Sequence, residues 1–256
     1  MVPFNSAIPI ASLRKITRTL HDSISRVATG LKVMGGNDAG SQSLANTLSA
    51  RAASFQAVES NTDSGVALLQ LAESALLELN NLATRLKEIG VADTLSTNTT
   101  ADTAALNSEA VYVSDTIDSI VSSLTFNNIN ILGTASKTFA IGINDAGNSQ
   151  TIQSTTGIGA TNINDATNAN TSMTTTIGEI TQSLGALSGS LTSLKAYQNV
   201  ATTTKAHLIQ AASNLQDTDF AEETAKITKQ SLIRNYALAM VATANSEELE
   251  KLKLLA

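Results

Sequence analysis

The chain has no cysteine and no tryptophan, two prolines and two histidines, and aromatic residues make up 3% of its 256 positions. Without cysteine there can be no disulfide frame, thiolate nucleophile or thiolate metal site. A core short of aromatics must be built from Leu, Ile, Val and Ala, which suits thin helix-on-helix seams better than a thick globular interior. Charged residues are also sparse at 15%, and the net charge of −6 leaves no basic face with which to neutralise phosphates, so no nucleic-acid partner is expected. No apolar run approaches the roughly 20 residues that span a bilayer, and no membrane partner is expected. Near the start, Asn5, Ser6 and Pro9 interrupt any apolar run and Arg14 and Lys15 come after it, the reverse of a cleaved secretory signal.

What is present is periodicity at both ends. Leu13, Ile16, Leu20, Ile24, Val27 and Leu31 step by three and four, and the spacing predicts a helix from about Ile10 to Thr29 that stops at Gly30. Both prolines precede it, where a missing N–H costs little. A second stripe of similar register runs through Thr224, Ile227, Ser231, Arg234, Leu238, Val241, Asn245, Leu249 and Leu252. Polar residues dilute it, so it needs a partner to be stable. Asp219 with Glu222 three residues on predicts its N-cap, and Glu223 adds charge suited to a helix N-terminus. The mixed charge from Glu247 to Leu255 reads as a helix packed on other helices rather than a membrane-surface segment.

Between the ends, Lys32 to Ser43 carries Gly35, Gly36, Asp38 and Gly40 and reads as a looped connector. From Leu44 to about Ile89 the recurrence of Leu69, Ala72, Leu76, Leu79, Ala83 and Leu86 predicts a single helix, about 70 Å long at 1.5 Å per residue. The polar run Asp93 to Asp102 turns the chain into an antiparallel helix marked by Leu106, Ala110, Val113, Ile117, Ile120 and Leu124. Residues 138–154 then read as a β-hairpin around the turn Asn144 to Asn148. Thr155 to Thr176 reads as polar loop, and helical spacing resumes at Ile177, Ile180, Leu184, Leu187, Leu191 and Leu194. The fold expected is therefore mainly α, a long antiparallel helical coiled-coil bundle with a small β-hairpin region in the middle of the chain. Its divisions are 1–43, an inner helix with connector; 44–216, a helical rod containing the hairpin region at about 126–176; and 217–256, a helix that pairs with the first.

Chemistry finds no anchor, and an enzyme is not expected. His21 and His207 lie far apart in helical segments, with no second histidine four residues away to make a zinc helix. Asp217, Asp219, Glu222 and Glu223 lack the glycine and the late bidentate Glu of a calcium loop, and read as helix capping. Gly157-Ile158-Gly159 is a fragment of a nucleotide fingerprint without its helix, and reads as a flexible loop. No G-x-S-x-G elbow occurs. Asn98-Thr99-Thr100 and Asn170-Thr171-Ser172 match a glycosylation sequon by composition alone. No cofactor or metal is implied.

Several motifs resemble those of bacterial flagellins. Thr29-Gly30-Leu31-Lys32-Val33, and after it Asp38-Ala39-Gly40, is similar to the family's N-terminal pattern. Asn61 to Val66 is similar to the family's N-x-x-D-G-I/V region, and Gln70 with Glu73-Ser74-Ala75-Leu76 to the Gln and Glu-Gly/Ser-Ala-Leu positions beyond it. Thr125-Phe126-Asn127 resembles its T-x-F-N step, with Ile129 to Leu132 as the apolar strand after it. Asp217 to Ala225, continuing through Ile227-Thr228-Lys229, Ala239-Met240 and Ala244-Asn245, resembles its C-terminal segment most specifically.

The resemblance implies a structural subunit of the extracellular flagellar filament. It further implies export through the flagellar type III apparatus without a cleaved signal, self-association into a helical homopolymer, and a flagellin export chaperone, filament cap and junction proteins as partners. The residues expected to pack subunits together are Leu13, Ile16, Leu20, Ile24, Val27, Leu31, Phe220, Ile227, Leu238, Val241, Leu249 and Leu252. About 50 residues separate Leu124 from Ile177, which leaves little for an outer domain and implies a minimal form. Two departures stand out. The chain reads Ser246-Glu247-Glu248 where family members end in Gln and Pro before a Val/Leu-rich finish. Arg85, Lys87 and Glu88 match a segment that an innate immune receptor reads in some flagellins, but Ala92 stands where Gln is frequent, so that recognition is not carried over. A hook-filament junction protein and a secreted coiled-coil adhesin are the alternatives.

Overall fold

The computed structural model describes residues 7–32, 38–159, 161 and 163–255; Pro3, Asn5, Ser6 and the connector's Val33, Gly35 and Gly36 lie outside them. The chain is mainly helical: α1 (Ala7–Thr29), α2 (Ala39–Asp93), α3 (Thr100–Ser123), α4 (Ala169–Gln216) and α5 (Phe220–Leu255). Two small antiparallel ribbons come after α3, β1 (Thr125–Phe126) with β2 (Ile129–Asn130), then β3 (Lys137–Gly142) with β4 (Ser149–Thr155). The residues divide into two compact units, one of 1–50 with 207–256 and the other of 51–206.

The core of the 51–206 unit is the seam read from the sequence. Leu69, Ala72, Leu76, Leu79, Ala83 and Leu86 of α2 are fully buried, together with Ala110 and Ile117 of α3. Each fully buried leucine contributes about 1.5–3 kcal/mol relative to exposure, so a line of them outweighs the modest helix propensity of the surrounding Ser, Thr and Asn. Gly65 marks a close approach: a Cβ there would sit 2.7 Å from Leu194 Cδ2 and 3.2 Å from Ile141 Cγ1, so α2, α4 and β3 meet over a bare backbone. The Arg85 guanidinium ties α2 to α3 through Glu109 at 2.6 Å.

Helix boundaries shift where local chemistry extends them. The α2 helix opens at Ala39 rather than Leu44, because Asp38 adopts φ 61° and its carbonyl accepts from Gln42 N–H at 3.2 Å, starting the first turn. Thr99 and Asp102 form a reciprocal capping box that starts α3 at Thr100. Asn127 and Asn128 both take positive φ, the requirement of a two-residue hairpin whose twist matches its strands. The β3–β4 turn is closed by Asn144 Oδ1, which accepts from Ala146 N–H and Asn148 N–H, with Gly147 at φ 82°.

The segment expected to be loop up to Thr176 differs most. The α4 helix begins at Ala169, where Ala169, Met173 and Ile180 are all fully buried and carry the apolar stripe upstream of Ile177. The deeply buried α4 positions recur every seven residues, Met173, Ile180, Leu187, Leu194 and Ala201, whereas Leu184 and Leu191 are half-buried. Between those knobs sit hydroxyls: Ser183 Oγ accepts from Thr156 N–H at 3.1 Å, and Ser190 Oγ accepts from Gln153 N–H at 3.0 Å, pinning β4 to the helix. Upstream, Ile158, Thr161, Ile163 and Ala166 are buried. Thr161 N–H donates to Asp118 Oδ1 and Ala166 N–H to Asn107 Oδ1, so the stretch is anchored by polar contacts rather than loose. Gly157-Ile158-Gly159 belongs to it, with Ile158 N–H donating to Gly133 O at 2.9 Å.

Candidate assembly surface

The α1 and α5 helices pack against each other within the 1–50/207–256 unit. Their junction is set by backbone first. Gly30 at φ 72° ends α1, its N–H reaching Arg26 O at 2.8 Å, as expected of a C′ glycine. Leu31 then bridges Asp217 in antiparallel fashion, while Lys32 N–H donates to Gln216 O and Thr218 N–H to Gly30 O at 2.9 Å. Asp219 accepts from Ala221 N–H at 2.9 Å and Glu222 N–H at 3.2 Å and so caps α5, the role read from its spacing.

Glu223 does something the capping reading missed. Its side chain is buried in the first turn of α5, 3.4 Å from Arg26 Nη1 of α1 and 3.0 Å from Lys226 Nζ. Burial pushes its carboxyl up, but hydrogen bonds from Lys226, Ser23 and Arg26 together with the Lys226 charge outweigh that and hold it below the ordinary carboxylate range. Hydrogen bonds to Glu222 and Glu223 raise Lys226 in turn. The sequence signal was Arg26 in the last turn of α1 and an acid in the first turn of α5, visible only once the two ends are paired.

Among the residues read as packing positions, Leu13, Ile16, Leu20 and Val27 of α1 and Ile227 and Val241 of α5 are half-buried. Ile24, Leu31, Phe220 and Leu238 are exposed, and the side chains of Leu249 and Leu252 lie outside the described residues. The phenyl ring of Phe220 nevertheless lies against the bend, its Cζ 3.7 Å from where a Cβ on Gly30 would be. The stripe reading also omitted Leu232, Ile233, Tyr236 and Met240, all exposed, Tyr236 at 74% and Met240 at 69%. From Leu232 to Val241 α5 is thus apolar around more than one face, and one partner helix cannot cover it. His21 and His207 are exposed and far apart in sequence, and among the described residues no cluster of three metal-ligating side chains occurs and no helix is long and apolar enough to cross a membrane.

A buried helical core and paired terminal helices that leave apolar residues exposed are features suited to a subunit that packs against other protein chains. The chain belongs to the bacterial flagellin family: residues 5–137 match the family model described as the bacterial flagellin N-terminal helical region. It is 28% identical to a flagellin of Halalkalibacterium halodurans, over 91% of this chain and 90% of that protein. It is 30% identical to the flagellin of Escherichia coli K12 over 55% of this chain, a match spanning 28% of that longer protein. A crystal structure of Bacillus cereus flagellin aligns with a TM-score of 0.47 at 25% identity, covering 55% of this chain and 88% of that one. The chain is accordingly a structural subunit of the extracellular flagellar filament and not an enzyme, and it acts by self-association.

Proposed function

We propose that α1 and α5 form the inner packing surface through which successive copies polymerise, with Leu13, Ile16, Leu20, Ile24, Val27, Leu31, Phe220, Ile227, Leu238, Val241, Leu249 and Leu252 as its apolar contacts. In this reading residues 1–43 and 217–256 act as the inner-core segments and 44–216 as the middle helical rod. The observation that carries it is the apolar residue set of α5 from Leu232 to Met240, which lies on more faces than α1 can cover. Such a helix becomes stable when two or more neighbours surround it, as in the interior of a helical polymer.

The proposal extends to how the subunit reaches its place: export through the flagellar type III apparatus, escort by a flagellin export chaperone, and contact with filament cap and junction proteins. Seeded polymerisation of the purified chain, with electron microscopy of the product, tests the packing surface. Filaments from the full chain, and none from chains lacking either α1 or α5, are the expected result. Normal filaments from both truncated chains would overturn it.

A further inference from the structure

We propose that a cleft at the C-terminal end of α3 receives a guanidinium or ammonium side chain from a second copy of this chain. The cleft has a volume of about 760 Å³; Asp115, Asp118 and Ser119 of α3 form part of one wall, and Asn130, Gly133 and Lys137 part of the other. The inference rests on the chain's assembly into a homopolymer and adds to it a specific polar contact.

Three observations make the cleft acceptor-rich and incomplete. Asp118 is already used from within, its Oδ1 accepting from Thr161 N–H and Thr161 Oγ1, each at 3.0 Å, which holds that wall in place. The side chains of Asp115 and Lys137, by contrast, have no hydrogen-bond or ion-pair partner among the described residues although both line the same cleft. Asn130 Nδ2 donates to Val121 O at 3.3 Å and Ser122 O at 2.7 Å, closing off the end of α3. Those bonds fix which way the amide points, and its Oδ1 is left buried without a donor. The Lys137 side chain lies across Gly133, since a Cβ there would fall 2.9 Å from Lys137 Cε, 3.7 Å from Lys137 Nζ and 3.8 Å from Asn130 Oδ1, so only the bare backbone of Gly133 leaves it room.

Two carboxylates against one ammonium leave an excess of negative charge, and a buried carbonyl oxygen seeks an N–H or O–H. A cationic side chain meets both demands together, and a guanidinium can face a carboxylate and an amide oxygen through separate N–H groups. Within the same 51–206 unit, Lys87 of α2 and Lys195 of α4 have no anionic partner among the described residues, so each copy offers cations for a neighbour's cleft.

Seeded elongation of the full-length chain, compared with Asp115→Asn and Asp115→Lys across a salt series, tests the proposal. The Asn variant is expected to elongate several-fold more slowly with a flatter salt dependence, and the Lys variant to stop, both with the parent's circular dichroism. Combining Asp115→Lys with Lys87→Glu or Lys195→Glu should restore elongation and name the donor. Parent-like elongation by the Lys variant, or slowing that neither exchange relieves, overturns the proposal. Saturable binding of free arginine to the monomer with elongation indifferent to Asp115→Asn would assign the cleft to a small cation and overturn it as well. If the parent itself fails to elongate, the packing surface proposed for α1 and α5 fails instead.

Discussion

Arg26 in the last turn of α1 and Glu223 in the first turn of α5 meet at 3.4 Å, 197 positions apart in the chain. The pair sits beside the backbone bridge between Leu31 and Asp217, so the ends are fixed in register by main chain and by charge at the same place. A register fixed there sets which faces of α1 and α5 remain open to other copies.

The two shifted groups determine the sign of the pH dependence. Glu223 is held below the ordinary carboxylate range, so its contribution is complete at neutral pH and is lost as pH falls through that lowered value. Lys226 is raised, so its contribution persists until pH climbs past the ordinary lysine range. The α1–α5 pairing is therefore expected to be level around neutrality and to loosen on acidification. Amide hydrogen exchange along α1 checks this: protection should fall in acid for the parent and much less for Glu223→Gln, which starts weaker. Identical acid responses would show that Glu223 is not the group responsible.

Leu20 and Leu238 separate assembly from folding. Both belong to the terminal pair and neither contributes to the core of the 51–206 unit. On the proposed packing surface, replacing either with Asp would place an unpaired charge in an apolar contact that repeats in every subunit, at a cost of several kcal/mol, on the order expected for burying a charge. Filament yield should collapse, while thermal unfolding of the 51–206 unit stays within about 0.5 kcal/mol of the parent. Full filament yield from both variants would remove these residues from the packing surface.

Two glycines of similar helical context should respond in opposite directions to alanine. At Gly65 the new methyl would meet Leu194 Cδ2 at 2.7 Å, and overpacking of this kind costs about 1–3 kcal/mol. At Gly178 of α4 the same methyl meets nothing within 4 Å, and relief of glycine's helix penalty should stabilise by about 0.5–1 kcal/mol. Denaturant unfolding of both variants measures this, and destabilisation at Gly178 would mean that its face is closely packed.

The seam of α2 was legible because Leu69, Leu76, Leu79 and Leu86 are large, apolar and regularly spaced, which is all that a periodicity argument needs. The cap at Asp219 was legible because its partners lie within three residues. The start of α4 was not, since Ala169, Met173 and Thr176 mix small, flexible and polar side chains whose burial depends on elements distant in the chain, Ala169 lying against Gly90 of α2. The hydroxyl pins at Ser183 and Ser190 were invisible for the same reason, because a serine facing a strand N–H looks like any other serine in sequence. The Arg26–Glu223 contact and the cleft beside α3 depend on residues far apart in the chain, and only the folded molecule brings them together. The exposure of Leu232, Tyr236 and Met240 was likewise unreadable, since a stripe assigns one face and α5 uses several.

Insertion tolerance provides the sharpest contrast between loop and seam. Gly147 lies at φ 82° with open space around its Cβ position, in a turn whose closure comes from Asn144 Oδ1 alone on the side-chain side. A short polar insertion beside it lengthens a surface turn, which costs little because loop-closure entropy grows only slowly with length. Leu76, fully buried, stands between Ala72 and Leu79 in the continuous stripe of α2. Inserting two residues there rotates everything beyond it by about 200°, taking 100° per residue of helix. Leu79, Ala83, Leu86 and Ile89 would then face away from the core that they now fill. The chain with the Gly147 insertion is therefore expected to fold and to form filaments at close to parental yield, and the chain with the Leu76 insertion to lose the cooperative unfolding of the 51–206 unit. Circular dichroism melting curves with filament counts by electron microscopy decide it, and failure of the Gly147 chain to assemble would place that turn in a subunit contact instead of at a free surface.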